Sequence, residues 1–198
     1  MFSEQLKHLD FKTDVVPFII ATIGEFLALL FWIKYSDLEM FLVANLLLWA
    51  GFMVERIAVI LWLRTVYRKA EGIQAPALQW WQIPVGLVGV TWTEILVWFI
   101  WLYAANNFGD WWGLVVLSPL MLLEHSAEMG LVKQKNLLTY INSPRTIFFT
   151  VMEVLGAVLW LHYLRAGQPV LGMLILGVGL SIEHVIQGSE LKPKVENY

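Results

Sequence analysis

Six apolar stretches constrain the fold of this 198-residue chain more than any other feature. Each is close to the roughly 20 residues that a helix needs to cross the hydrocarbon core of a bilayer. They cover about Val15–Ile33, Met40–Leu63, Ile83–Ala105, Trp111–Val132, Thr146–Leu164 and Val170–Gln187. A chain that is 59% hydrophobic and 15% charged, with a mean hydropathy of +0.66, lies outside the range of soluble domains. The sequence therefore predicts an all-α integral membrane protein with six transmembrane helices.

The six stretches predict a single transmembrane domain over residues 15–187. Residues 1–14 lack a basic start and a small-residue cleavage site, so we expect a retained cytoplasmic or interfacial segment rather than a signal peptide. Residues 188–198 are expected to form a cytoplasmic tail.

The basic residues between the apolar stretches lie mainly on one side of the predicted membrane. That side holds Lys7, Lys12, Arg64, Arg68, Lys69, Lys133, Lys135, Arg145, Lys192 and Lys194, and the other side holds Lys34 and Arg165. Because positively charged loops are retained in the cytoplasm, both termini and the connections 65–82 and 133–145 are predicted to be cytoplasmic. The short turns near residues 36, 108 and 167 then face outward.

The pattern T-x-x-E-x-L-x4-W occurs three times without a gap, once in each odd-numbered apolar stretch. It covers Thr22–Trp32, Thr91–Trp101 and Thr150–Trp160, with its glutamates at Glu25, Glu94 and Glu153. The even-numbered stretches contain Glu55-Arg56, Glu124-His125 and Glu183-His184, and each of these glutamates follows its odd-stretch partner by 30 residues. These repeats, at about 15–67, 83–133 and 146–190, predict three repeated helical hairpins in a pseudo-threefold bundle.

The constant spacing also predicts the depth of the glutamates. The midpoints of the three pairs are residues 40, 109 and 168, each at or beside a predicted outward turn. Both glutamates of a hairpin then lie at one depth, about 20 Å from the turn at a helical rise of ~1.5 Å per residue. Six carboxylates should form a layer.

Three tryptophans share the helical face of the odd-helix glutamates, namely Trp32, Trp101 and Trp160. We expect them to pack above the layer or to act as cofactor-binding residues that close it.

Carboxylates inside a bilayer are costly and need a partner or a function. Seven are predicted here: Glu25, Glu55, Glu94, Glu124, Glu128, Glu153 and Glu183. Arg56 is the one fixed positive charge that the sequence predicts at their depth. The remaining positive charge must come from protons or from metal ions.

Histidines at matching positions favour metal ions, because imidazole and carboxylate together are common ligands of iron, manganese and zinc. The candidate ligands are Glu94, Glu124, His125, Glu153, Glu183 and His184. Four Glu and two His is also the ligand inventory of soluble di-iron and di-manganese bundles, although those bundles use Glu-x-x-His and this chain has adjacent Glu-His. The predicted cofactor is a pair of transition-metal ions, with iron ahead of manganese and zinc.

The remaining polar residues of the layer are candidate catalytic or proton-relay groups, namely Glu25, Glu55, Arg56 and Glu128. With the six layer glutamates ionised, Arg56 and two divalent ions leave one negative charge, which a single shared proton would neutralise.

These features predict a membrane-embedded redox enzyme with a dinuclear centre and a lipid-soluble or small diffusible substrate. The expected partners are the lipid bilayer and an electron-transfer or membrane-complex protein, and nucleic acid is not expected. One alternative is a transporter or channel for divalent cations or protons that uses the same layer. Another is a structural subunit, or a haem subunit with His125 and His184 as axial ligands. The absence of cysteine excludes thiolate zinc sites, iron–sulfur clusters and covalently attached haem.

Overall fold

A computed structural model of the chain describes residues 16–69, 82–133 and 135–191, and all regular structure in these ranges is α-helical. The helices are α1 (Val16–Asp37), α2 (Phe41–Lys69), α3 (Gln82–Phe108), α4 (Asp110–Val132), α5 (Pro144–Arg165) and α6 (Pro169–Leu191). Each contains a segment of 20 to 23 residues that is long and apolar enough to cross a membrane. The prediction of an all-helical chain with six such helices is confirmed.

Four helices, α1, α2, α3 and α6, continue at least three residues beyond the apolar stretches predicted from sequence. Helix α2 ends at Lys69 rather than near Leu63, and α6 ends at Leu191 rather than near Gln187. No proline interrupts either extension, so the backbone hydrogen bonds continue after the apolar pattern has ended. The predicted N-terminal segment, residues 70–81 of the first long connection and the tail from residue 192 lie outside the described residues.

Three short turns join the helices, one turn within each predicted hairpin. They lie at residues 38–40, at Gly109 and at residues 166–168. Gly109 has a φ of 97° and Gly167 a φ of 75°, a backbone conformation that glycine adopts without a steric penalty. The midpoints of the three glutamate pairs fall within these turns, so both glutamates of a pair are equally far along the chain from their turn.

Each helix packs most extensively against its neighbour across one of these turns: α1 with α2, α3 with α4, and α5 with α6. Smaller interfaces join α2 to α3, α4 to α5 and α6 to α1, so the six helices form a closed ring of contacts. Small residues allow close approach at matching crossings. Gly51 faces Ala28 between α2 and α1, and Gly179 faces Gly156 between α6 and α5.

Two apolar clusters make up the buried core. The larger, here called the indole cluster, includes Trp32, Trp98, Trp101 and Trp160. It lies towards the three short turns that join the helices of each hairpin. The smaller, here called the distal cluster, lies towards the opposite helix ends and comprises Phe18, Val59, Trp62, Leu63, Met129, Val132 and Phe149. Between 33% and 50% of each membrane-length span is buried in the protein, and the outward faces are largely apolar, which suits contact with lipid.

Candidate metal centre

The six predicted glutamates of the three hairpins are all buried between the two apolar clusters. This set, here called the carboxylate layer, comprises Glu25, Glu55, Glu94, Glu124, Glu153 and Glu183. Arg56, His125 and His184 lie beside them, and none of the nine side chains is more than 5% exposed. A threonine lies three positions before each odd-helix glutamate on the same helical face, which brings Thr22 and Thr150 against the histidines as well.

A small polar cavity lies within this group. Its volume is about 10 Å³, which is close to the space that one water molecule occupies. Its lining consists of Glu25, Glu55, Arg56, Glu94, His125, Glu128, Glu153, Glu183, His184 and Gln187. Every described residue of the lining is polar or charged, so the cavity suits an ion or water and is far too small for an organic cofactor.

Arg56 neutralises one side of the layer. Its guanidinium donates to Glu94 Oε2 at 2.5 Å, to Glu128 Oε1 at 2.6 Å and to Glu124 Oε1 at 3.3 Å. Glu55 Oε1 also lies 3.3 Å from Arg56 Nη1. Gln187 Nε2 donates to the second Glu128 oxygen at 2.7 Å. Four carboxylates thus share one guanidinium, whose planar fork is suited to such multiple pairing.

His184 presents Nε2 to two glutamates of the first hairpin, whereas Nδ1 faces its own helix, the Thr22 hydroxyl and Glu183. Its Nδ1 lies 3.0 Å from the Leu180 carbonyl oxygen, which can only accept a hydrogen bond. In the neutral ring Nδ1 therefore carries the proton and Nε2 has the free lone pair. Nε2 lies 3.6 Å from Glu25 Oε2 and 3.7 Å from Glu55 Oε1. A backbone acceptor at the outer nitrogen is the usual arrangement for a metal-binding histidine.

His125 is oriented in a similar way. Its Nδ1 lies 2.8 Å from Thr150 Oγ1, and its ring packs edge-on against Phe149. The other nitrogen, Nε2, faces Glu153 Oε2 at 3.1 Å, Glu124 Oε2 at 3.7 Å and Glu183 Oε1 at 3.9 Å.

One set of contacts therefore occurs three times around the layer. Residues 56, 125 and 184 each lie within 4 Å of three glutamates: the preceding residue, the odd-helix glutamate of the next hairpin and the even-helix glutamate of that hairpin. For Arg56 these are Glu55, Glu94 and Glu124. The order is cyclic, because the hairpin that follows the third is the first.

Two groups of buried side chains lie close enough together that they could hold a metal ion. One group consists of Glu25, Glu55 and His184, and is called the His184 group. The other consists of Glu25, Glu94 and Glu153, one glutamate from each odd helix of the sequence pattern, and is called the odd-helix triad. In each group the potential ligand atoms lie within 4.8 Å of one another. Two donors that are each ~2.1 Å from one ion are about 3.0–3.4 Å apart, so small side-chain shifts would complete either site.

Unpartnered polar atoms point to a missing ligand in the same place. Glu55 Oε2, Glu153 Oε2 and Arg56 Nε are buried without a hydrogen-bond partner. Glu153 Oε2 is within ion-pair distance of His125 Nε2, at 3.1 Å, yet their relative orientation does not make a hydrogen bond. Buried carboxylate oxygens are rarely left unsatisfied. Each of the two groups contains one of these two glutamates, whose unpartnered oxygen could accept a cation.

The two groups differ from the ligand set expected from sequence. Glu25 and Glu55, expected to be catalytic or relay residues, belong to them. Three expected ligands, Glu124, His125 and Glu183, lie outside both groups, and Glu124 bonds to Arg56. The guanidinium reaches into the next hairpin and engages the glutamates nearest to it, which sequence spacing alone does not reveal. The roles of all the candidate residues stay predictions.

The three predicted cofactor-binding tryptophans lie apart from the cavity. Trp32, Trp101 and Trp160 are at most 1% exposed and pack in the indole cluster. Trp101 contacts Trp98 edge-to-face, with the ring centroids 5.3 Å apart. A packing role explains these contacts. Sequence reasoning missed Gln187 and the histidine-bound threonines Thr22 and Thr150, although the threonines belong to the repeated pattern.

Fold and site together define a class: a protein with six membrane-length helices and a buried carboxylate-histidine cluster that could hold metal ions. No protein-family model matches the chain, and no curated protein or solved structure matches it either.

Proposed function

We propose that this is an integral membrane metalloprotein with a dinuclear carboxylate-histidine centre, and that it is a redox enzyme. One ion binds to the His184 group and the other to the odd-helix triad. The observation that carries the proposal is that Glu25 belongs to both groups. A carboxylate has two oxygens, so Glu25 can bridge the two ions, as carboxylates do in two-metal proteins.

Charge supports cations in these positions. The carboxylate layer together with Glu128 contains seven buried carboxylates, and Arg56 is the fixed cation that contacts four of them. Placing several like charges in a medium of low polarity without counterions is strongly unfavourable. Divalent ions bound between the carboxylates supply the missing positive charge.

Iron is the first candidate, because its ions bind carboxylate and imidazole ligands and exchange electrons, and manganese and zinc are the next. A redox-active metal would supply the electron-transfer chemistry. The chain itself holds the metal ligands, orients His184 through Leu180 and separates the centre from water with apolar side chains on both sides. Electrons come from or go to a lipid-soluble or small diffusible substrate and a membrane electron-transfer partner.

The cyclic contacts of residues 56, 125 and 184 support a pseudo-threefold bundle of three hairpins. The excess of basic residues on one side supports cytoplasmic termini.

The packing around the carboxylate layer weighs against the alternative functions. A transporter needs a polar path to both surfaces, whereas the indole and distal clusters lie above and below the layer. A haem needs far more room than a cavity of about 10 Å³.

Metal analysis of detergent-purified protein, reconstituted anaerobically with ferrous iron, tests the proposal. Because Glu25 serves both ions, Glu25→Gln should lose about two equivalents of tightly bound iron. Glu55 serves one ion, so Glu55→Gln should lose about one equivalent of iron. His162→Ala is the matched control, because His162 is exposed near the end of α5 and pairs with Asp110 away from the layer.

Bound iron should also change its optical spectrum reversibly on reduction and reoxidation, without the Soret band of a haem. Equal iron in Glu25→Gln and wild-type protein would contradict the shared site. Tightly bound metal that does not respond to reductant would contradict the redox function while leaving metal binding intact.

A further inference from the structure

His125 stands in the same environment as His184, yet the two ions of the proposed centre leave it without a ligand role. We propose that His125, Glu153 and Glu183 form a third metal position. This inference rests on the proposed dinuclear centre and extends it to three ions.

The first support is the equivalence of the two histidines. Each presents Nε2 to the odd-helix glutamate of the next hairpin, at 3.1 Å for His125 and Glu153, and at 3.6 Å for His184 and Glu25. Each also faces the even-helix glutamate of that hairpin, at 3.9 Å for His125 and Glu183. If His184 binds a metal ion, His125 has the same ligand atom and equivalent glutamate neighbours with which to bind another.

The second support is the unpartnered oxygen of Glu153. Its Oε2 is buried and accepts no hydrogen bond, although His125 Nε2 is 3.1 Å away. When the Thr150 hydroxyl accepts the Nδ1 proton of a neutral His125, the lone pair of Nε2 faces this oxygen, and a cation between the two atoms removes their repulsion. A distance of 3.1 Å fits two ligands of one ion, which are about 3.0–3.4 Å apart for bond lengths of ~2.1 Å.

The third support is the connection between positions. Glu25 joins the His184 group to the odd-helix triad, and Glu153 joins that triad to His125. Three ions would therefore lie in a row, each linked to the next by one glutamate. Glu94, the remaining member of the triad, pairs with Arg56 where Glu25 and Glu153 face a histidine. The guanidinium therefore occupies the place that corresponds to a histidine-bound ion.

Charge balance agrees with three ions. Seven ionised carboxylates carry seven negative charges, Arg56 carries one positive charge and three divalent ions carry six. The buried group is then neutral, whereas two divalent ions would leave two negative charges. Neutrality is the favourable condition for a group that is removed from water.

The test is iron stoichiometry after anaerobic reconstitution with ferrous iron, followed by dialysis. Wild-type protein and the control His162→Ala should each retain about three equivalents, and His125→Ala about two. The monodisperse fraction from size-exclusion chromatography is used for every variant, so that iron is counted on folded protein.

Thr150→Val provides a second test with a milder change. The Thr150 hydroxyl lies 2.8 Å from His125 Nδ1, and valine has nearly the same shape. Loss of such a supporting group should weaken the affinity for one equivalent about 10–100-fold and leave the other two unchanged.

Two equivalents in both wild type and His125→Ala would overturn the third position and leave the dinuclear centre standing. Three equivalents in both proteins would place the third ion elsewhere and also overturn the inference. Absence of bound iron in wild type would instead contradict the dinuclear centre itself.

Discussion

Arg56 decides how the buried carboxylates are divided. It replaces the histidine found at residues 125 and 184, and it reaches glutamates of its own hairpin and of the next. Within the carboxylate layer, Arg56 does not contact Glu25, Glu153 or Glu183. These three are proposed metal ligands together with Glu55 and Glu94, which also pair with Arg56. A single substitution in one repeat thus separates a neutralised side from a side that is available to metal.

Replacing Arg56 with methionine should destabilise the metal-free protein strongly. The guanidinium pairs with four buried carboxylates, and removal of one partner from a buried ion pair typically costs about 3–5 kcal/mol. The free energy of unfolding in detergent, measured in the presence of a chelator, checks this prediction.

Lys34→Met is the matched control for Arg56→Met, because Lys34 is exposed near the end of α1. It removes the same charge and should change stability by less than about 0.5 kcal/mol. Equal stability of Arg56→Met and Lys34→Met would contradict the role given to the buried guanidinium.

At the scale of helices, much was predictable from the sequence. Hydrophobic length alone gave six helices, and the constant spacing of 30 residues placed Glu25 and Glu55 equally far from the turn at residues 38–40. Both predictions depend on the regular rise of a helix, which fixes distance along its axis. The pairing of carboxylates around the layer depends on the lateral reach of Arg56, and sequence spacing contains no information about that.

Helix crossings depend on glycines whose positions also carry measurable consequences. A Cβ added at Gly179 would lie 2.9 Å from the Met152 carbonyl oxygen and 3.1 Å from Gly156 Cα, so α6 would have to move away from α5. Gly179→Ala should therefore lower the free energy of unfolding by about 1–3 kcal/mol.

Gly177→Ala provides the control on the same helix. Its added Cβ would meet Phe26 at 3.9 Å, an ordinary van der Waals contact, and alanine favours a helix over glycine by about 1 kcal/mol. Its stability should be unchanged or slightly higher. Comparable losses in both variants would mean that the α5–α6 crossing does not depend on Gly179.

The distribution of basic residues predicts a defined orientation of the whole protein in the membrane. The chain contains no cysteine, so single cysteines can be introduced and labelled without background. We expect a membrane-impermeant maleimide to label Gln168→Cys, in a turn that is predicted to face outward, in intact cells. Leu137→Cys, in the connection between α4 and α5, should react only after permeabilisation.

Labelling of Leu137→Cys in intact cells, with Gln168→Cys protected, would reverse the predicted orientation. Labelling of both would contradict the placement of these two connections on opposite sides. Both residues are exposed, so differences in reactivity report the side of the membrane rather than burial in the protein.

The proposed function depends on carboxylates from the three hairpins that hold neighbouring metal ions inside the helix bundle. X-ray absorption at the iron edge of reconstituted wild-type protein tests it most directly. We expect oxygen and nitrogen ligands at about 2.0–2.2 Å, no sulfur ligand, and a second iron at about 3–4 Å. Iron without a metal neighbour, or protein that retains no iron after reconstitution, would contradict it.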